Sequence, residues 1–187
     1  MAEIKSACNF GLYQHYVVGI DPAFGGTGIA IFQDGKLTNV TRLRKTGNQS
    51  FEERAHDLAL RTANWIYDTV SNRENPRVGI VSPPVVICEI PAYQGTPSRS
   101  MGWKKGDLQK LTYLVGSMGQ TCMDLAFETE WNTEFMTVTP AGWKGQLSKK
   151  IVIDRIRKRI PDVDKDFQPK LDIWDAIGIG LWALGKF

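Results

Sequence analysis

Histidine and cysteine are scarce: His15 and His56, with Cys8, Cys88 and Cys122, are all that 187 residues contain. None shows the paired spacing of zinc ligands, so a zinc centre is disfavoured. Three scattered cysteines supply no disulfide framework and fit a reducing compartment. No apolar segment follows Met1, and no apolar run approaches the roughly 20 residues that span a bilayer. The expected setting is cytoplasmic, with no membrane partner. A strong excess of one charge is also lacking, and a net charge of +3 does not by itself imply nucleic acid. The charge is unevenly placed, however. Lys144, Lys149, Lys150, Arg155, Arg157, Lys158 and Arg159 are opposed over their stretch by Asp154 alone, which makes either a solvated helix face or a surface for phosphates. What is present is globular composition, 42% hydrophobic and 23% charged, enough for one core and one expected domain over 1–187.

Apolar periodicity orders the chain as strands first and helices interleaved later. Residues 16–21, 27–33 and 36–43 predict three strands. Gly25-Gly26 and the short-hairpin signal Asp34-Gly35 join them into an antiparallel meander. Ser50-Phe51-Glu52-Glu53 matches a capping box and opens a helix to about residue 71. A strand over 84–90 follows, then a helix N-capped by Asp107 that carries Leu108, Leu111, Val115, Met118, Cys122 and Leu125. A strand over 133–139, a basic helix over about 148–160 and a last helix over about 172–185 complete the pattern. Gly178 and Gly180 cost that last helix about 1 kcal/mol each in propensity, which close packing on a sheet would offset.

The acidic residues carry the chemistry. Asp21 closes the apolar run Val17-Val18-Gly19-Ile20, Glu89 closes Val85-Val86-Ile87-Cys88, and Asp172 and Asp175 open the last helix. Carboxylates are seldom placed against a core unless paired or bound to a cation. Asp172 and Asp175, three apart, share a helix face; Asp172 alone could be an N-cap, but that leaves Asp175 unexplained. If the strands ending in Asp21 and Glu89 are parallel neighbours, all four carboxylates converge at one sheet edge. There they would repel unless hard cations such as Mg²⁺ or Mn²⁺ lay among them.

Val18-Gly19-Ile20-Asp21-Pro22 with Thr27-Gly28, then Cys88-Glu89, then Asp172-Ile173-Trp174-Asp175-Ala176 resemble, in that order, the RuvC group of Holliday-junction resolvases within the ribonuclease H-like superfamily. The resemblance extends over about 16–185 and implies an α/β fold, a five-stranded mixed sheet flanked by helices with the fourth strand parallel beside the first. It also implies a Mg²⁺-dependent endonuclease that cuts branched DNA, chiefly four-way junctions, by metal-assisted phosphodiester hydrolysis. Two Mg²⁺ ions, with Mn²⁺ as a plausible substitute, would be held by Asp21, Glu89, Asp172 and Asp175, with Asp21 bridging them. Thr139-Pro140-x-x-Trp143-Lys144 and Gly145-x-x-x-Lys149 are similar to family segments that bring lysines to the scissile phosphate. Lys144 is therefore expected to stabilise the reacting phosphate, and Lys149 and Lys150 to contact DNA. In the family an aromatic residue shortly after the second acid stacks on bases at the opened junction. Tyr93 holds a comparable place, and Trp103 with Lys104 and Lys105 is its rival. The chain departs from the pattern at Ala23, where glycine is common, and in a long connection over 94–106 that could close over substrate.

Two symmetric cuts resolve a junction, which implies a homodimer. The helix face of Leu108, Leu111, Val115 and Met118, with Gly116 and Gly119, is either its interface or a sheet-packing surface. Other readings compete. An actin-like ATPase or sugar kinase shares the strand, Gly-x-Asp and glycine-rich hairpin but needs a second such domain. A non-catalytic nucleic-acid-binding relative would have no use for four acids. A less selective branched-DNA or RNA nuclease of the same fold is the strongest rival.

Overall fold

The computed structural model describes residues 15–45, 47, 49–71, 83–91, 107–129 and 133–187. The apolar alternating segments become strands: β1 (Tyr16–Asp21), β2 (Thr27–Gln33), β3 (Lys36–Leu43), β4 (Val85–Glu89) and β5 (Glu134–Val138). The first three form the expected antiparallel meander, turned by Asp34 and Gly35, both at positive φ (51° and 72°). β4 lies parallel to β1 and β5 parallel to β4, so the sheet order is β3-β2-β1-β4-β5. The helices are α1 (Phe51–Ser71), α2 (Asp107–Thr129), α3 (Pro140–Trp143), α4 (Lys149–Arg159), α5 (Val163–Asp166) and α6 (Leu171–Ala183). The short α3 and α5 have too few residues to show a period and were not foreseen in the sequence pattern.

Strand alternation sorts the buried strand side chains into two cores. Tyr16, Val18, Ile20, Ile29, Ile31, Val86 and Cys88 face α1 and α2. Val17, Ala30, Phe32, Val85 and Ile87 face α6 and its neighbours. By the same parity the strand-ending residues Asp21 and Glu89 fall on the α6 side. α6 comes unusually close to the sheet because glycines leave room for its backbone. A Cβ on Gly19 would lie 2.2 Å from the Ala176 carbonyl oxygen, and one on Gly28 would lie 2.2 Å from that of Asp172. No side chain fits at either place, and this contact sets the first turn of α6 down beside the end of β1.

Some expectations change. The N-cap position of α6 is Lys170, so Asp172 lies inside the first turn and is not the cap. On α2, Val115 and Met118 are buried in the core with Leu114, and Leu111 packs against them. Gly119 accommodates the Phe135 ring. Those residues therefore pack inward and are not free to form an interface, while Gly116 is exposed; the apolar residues α2 does expose are Tyr113, Met123 and Phe127. On α4, Arg157 is committed within the fold, paired with Asp164 at 2.7 Å and lying over Trp174, while Arg155 lies over Phe187. No described helix is long and apolar enough to cross a membrane.

Candidate active site

Three local structures deliver the acids. Asp21 and Glu89 terminate the adjacent parallel strands β1 and β4, which pair through Ile20 and Cys88 one residue earlier. Asp172 and Asp175 come from the first turns of α6, lowered onto the same strand ends by Gly19 and Gly28. Thr139 builds the remaining side: its hydroxyl accepts a hydrogen bond from the Gly142 amide at 3.1 Å, Pro140 occupies the first helical position, and the resulting turn presents Trp143 and Lys144.

The acids are matched by bases. Lys144 Nζ lies 3.7 Å from Glu89 Oε2 and 3.9 Å from Asp175 Oδ1, and so stands between those two carboxylates. Lys149, at the start of α4, pairs with Asp175 Oδ2 and also donates to the Leu171 carbonyl at 2.7 Å. Arg42, from β3, pairs with Asp172. The Trp143 indole N–H donates to Glu89 Oε2 at 2.6 Å. Neither the Arg42 pairing nor this Trp143 bond was foreseen.

Electrostatics show how crowded the site is. Burial pushes the Asp21 carboxyl well above the usual carboxylate range, the negative charges of Glu89, Asp175 and Asp172 push it further, and Lys149 opposes them. Glu89 is raised first by burial and then by Asp175, against the pull of Lys144, Lys149 and the Trp143 hydrogen bond. Cys88, beside this site but facing the other core, is held as a thiol by burial and by the charge on Asp21.

The donor set fits a hard divalent cation in its chemistry. All four acids offer carboxylate oxygens, and Asp175 Oδ1 is buried without a hydrogen bond, its ion pair with Lys144 standing off at 3.9 Å. Among the described residues no three Asp, Glu, His or Cys side chains close on a single point as they stand. Lys144 and Lys149 take up the carboxylates instead. Lys150 is exposed in the first turn of α4. Tyr93, Trp103, Lys104 and Lys105 lie outside the described residues.

A five-stranded mixed sheet of this order, flanked by helices and carrying acids at the ends of its two central parallel strands, is the ribonuclease H-like α/β fold. No protein-family model and no curated protein matches the sequence. Solved structures do. RuvC of Thermus thermophilus in complex with its Holliday junction substrate is 17% identical, with 90% of this chain and 92% of that one covered at a TM-score of 0.58. A second Thermus thermophilus RuvC structure gives 17% identity, 89% and 92% coverage and 0.55. The yeast mitochondrial Holliday junction resolvase Ydc2 gives 13% identity, 92% and 77% coverage and 0.50. At these identities the likeness is one of fold.

Proposed function

We propose that this chain is a structure-selective endonuclease that resolves four-way DNA junctions by metal-assisted phosphodiester hydrolysis. The observation that supports it best is the gathering of Asp21, Glu89, Asp172 and Asp175 with Lys144 and Lys149 at one sheet edge, where a buried Asp175 oxygen accepts no hydrogen bond. The similarity in fold to a RuvC in complex with Holliday junction substrate and to a yeast mitochondrial Holliday junction resolvase adds weight. Asp21, Glu89 and Asp175 would hold Mg²⁺, or Mn²⁺ in its place, with Asp172 assisting. Bound there, divalent ions supply a water nucleophile at neutral pH and neutralise charge on the leaving oxygen.

The chain's own residues do the rest. The strand ends keep Asp21 and Glu89 in register. Lys144, within 4 Å of two of the acids, would stabilise charge developing on the scissile phosphate. Lys149 and Lys150 at the start of α4 would follow the DNA backbone, which makes binding strongly salt-dependent. Tyr93 and Trp103, with Lys104 and Lys105, would take up bases unstacked at the crossover.

The test is a comparison of purified protein on a four-way junction, a flap, a linear duplex and an RNA–DNA hybrid, with Mg²⁺ present. Junctions are expected to be bound and cut in preference to the others. Equal affinity and equal cutting on duplex and junction would favour a general nuclease of the same fold.

Two cuts from a chain with one acidic cluster require two copies, so the active species is proposed to be a homodimer. Light scattering should give a dimer at working concentration. A monomer both with and without junction DNA would rule this out.

A further inference from the structure

We propose that Trp143 is a positioning residue that fixes Glu89 for cation binding, engaging Oε2 and leaving Oε1 as the coordinating oxygen; this rests on the nuclease reading of the site. Two partners fall on the same oxygen. The indole N–H donates to Oε2 at 2.6 Å, and Lys144 Nζ stands 3.7 Å from it. A buried indole N–H needs an acceptor, and a carboxylate held by a directed donor cannot swing. The Lys144 ammonium also lies over the Trp143 ring, 4.7 Å from its centroid, so one side chain orients both an acid and a base.

The ring is itself held in place. Trp143 is 3% exposed. It lies so close to the α6 backbone that a Cβ on Gly178 would meet its Cζ3 at 2.5 Å, and the edge of Phe187 packs on it with centroids 5.4 Å apart. The helical glycine Gly178 therefore makes the seat for the indole, and Phe187 packs against it. Outer partners of this kind typically change metal affinity by 10–100-fold when removed.

The experiment measures Mn²⁺ binding to the full chain without DNA, by the electron paramagnetic resonance signal of free Mn²⁺, together with urea unfolding. Trp143→Phe removes the N–H and some ring volume. Site-specific 3-benzothienylalanine at position 143 keeps the ring's shape and puts sulfur where the N–H stands, so it carries the test if the Phe variant folds poorly. Both are expected to weaken Mn²⁺ binding about ten-fold, the isostere with an unchanged unfolding midpoint. Phe187→Ala, which loses packing but keeps the N–H, should lower the midpoint and retain wild-type Mn²⁺ affinity. Wild-type affinity in the benzothienyl variant would overturn the inference while junction cleavage by the wild type still stood. So would a loss in Phe187→Ala as large as in the ring replacement. Absence of both Mn²⁺ binding and cleavage in the wild type would bring down the nuclease reading and this inference together.

Discussion

Asp21→Asn is expected to abolish junction cleavage, by roughly 10³-fold or more, while leaving junction affinity in EDTA largely intact. Asp21 ends the central strand β1 and interacts electrostatically with Glu89, Asp172, Asp175 and Lys149 alike, so no other acid is so centrally placed. The amide keeps the shape and removes the anionic oxygen a cation needs. It removes none of the lysines proposed to contact phosphate, Lys149 beside it included, and binding should therefore survive. Glu89→Gln should behave in the same way. Single-turnover cleavage and a gel or anisotropy titration on the same junction separate the two effects. Wild-type turnover in either variant would refute the assignment. Loss of binding together with cleavage, in a protein that still unfolds cooperatively, would make the acids structural.

Much of this site was legible because a strand has a period of two. Once β1 and β4 are taken as parallel neighbours, the side chains that end them must share a face, and Asp21 and Glu89 were paired on that ground. The i, i+3 spacing of Asp172 and Asp175 did the same for α6. Arg42 was not legible, for a definite reason. Counted back from the Asp34-Gly35 turn in a regular hairpin, Thr41 would sit opposite Gly28 and Arg42 would face the other core. A bulge at Thr38, whose hydroxyl donates to the Ile31 carbonyl at 3.2 Å, shifts the register so that Arg42 pairs with Gly28 and reaches Asp172. Nothing in the local sequence announces that extra residue.

Trp143 was visible only as part of a motif, because the groups it meets, Glu89, Gly178 and Phe187, lie far from it in sequence. The surface of α2 was ambiguous for another reason. An apolar stripe with glycines suits a sheet or a second helix equally well, and the burial of Leu114, Val115 and Met118, with the Phe135 ring against Gly119, decides for the sheet.

Stability of the metal-free protein should fall as pH rises, and Mg²⁺ should reverse the trend. Asp21 and Glu89 both hold protons more tightly in the folded state than the ordinary carboxylates of the unfolded chain, chiefly because burial penalises their charge. Between the ordinary carboxylate range and the raised folded values, the folded protein therefore carries more protons than the unfolded one, and unfolding free energy declines with pH. The contribution is fully present below about pH 4 and is lost as pH passes through the raised values. Glu53 and Asp164 work in the opposite sense, their carboxyls lowered by Ser50 and Arg157, but they are exposed and their stabilisation is lost only as pH falls below the carboxylate range. Above that range the acidic cluster governs the slope. A divalent cation favours the ionised carboxylates and should restore stability most where the metal-free protein is weakest. Urea unfolding across pH in EDTA and in saturating Mg²⁺ measures both curves, and Asp21→Asn should flatten the EDTA curve and raise the metal-free midpoint above that of the wild type at neutral pH. Parallel curves for wild type and Asp21→Asn in EDTA would mean that Asp21 is not the strained charge in this cluster, and its place as the central acid would fall with it.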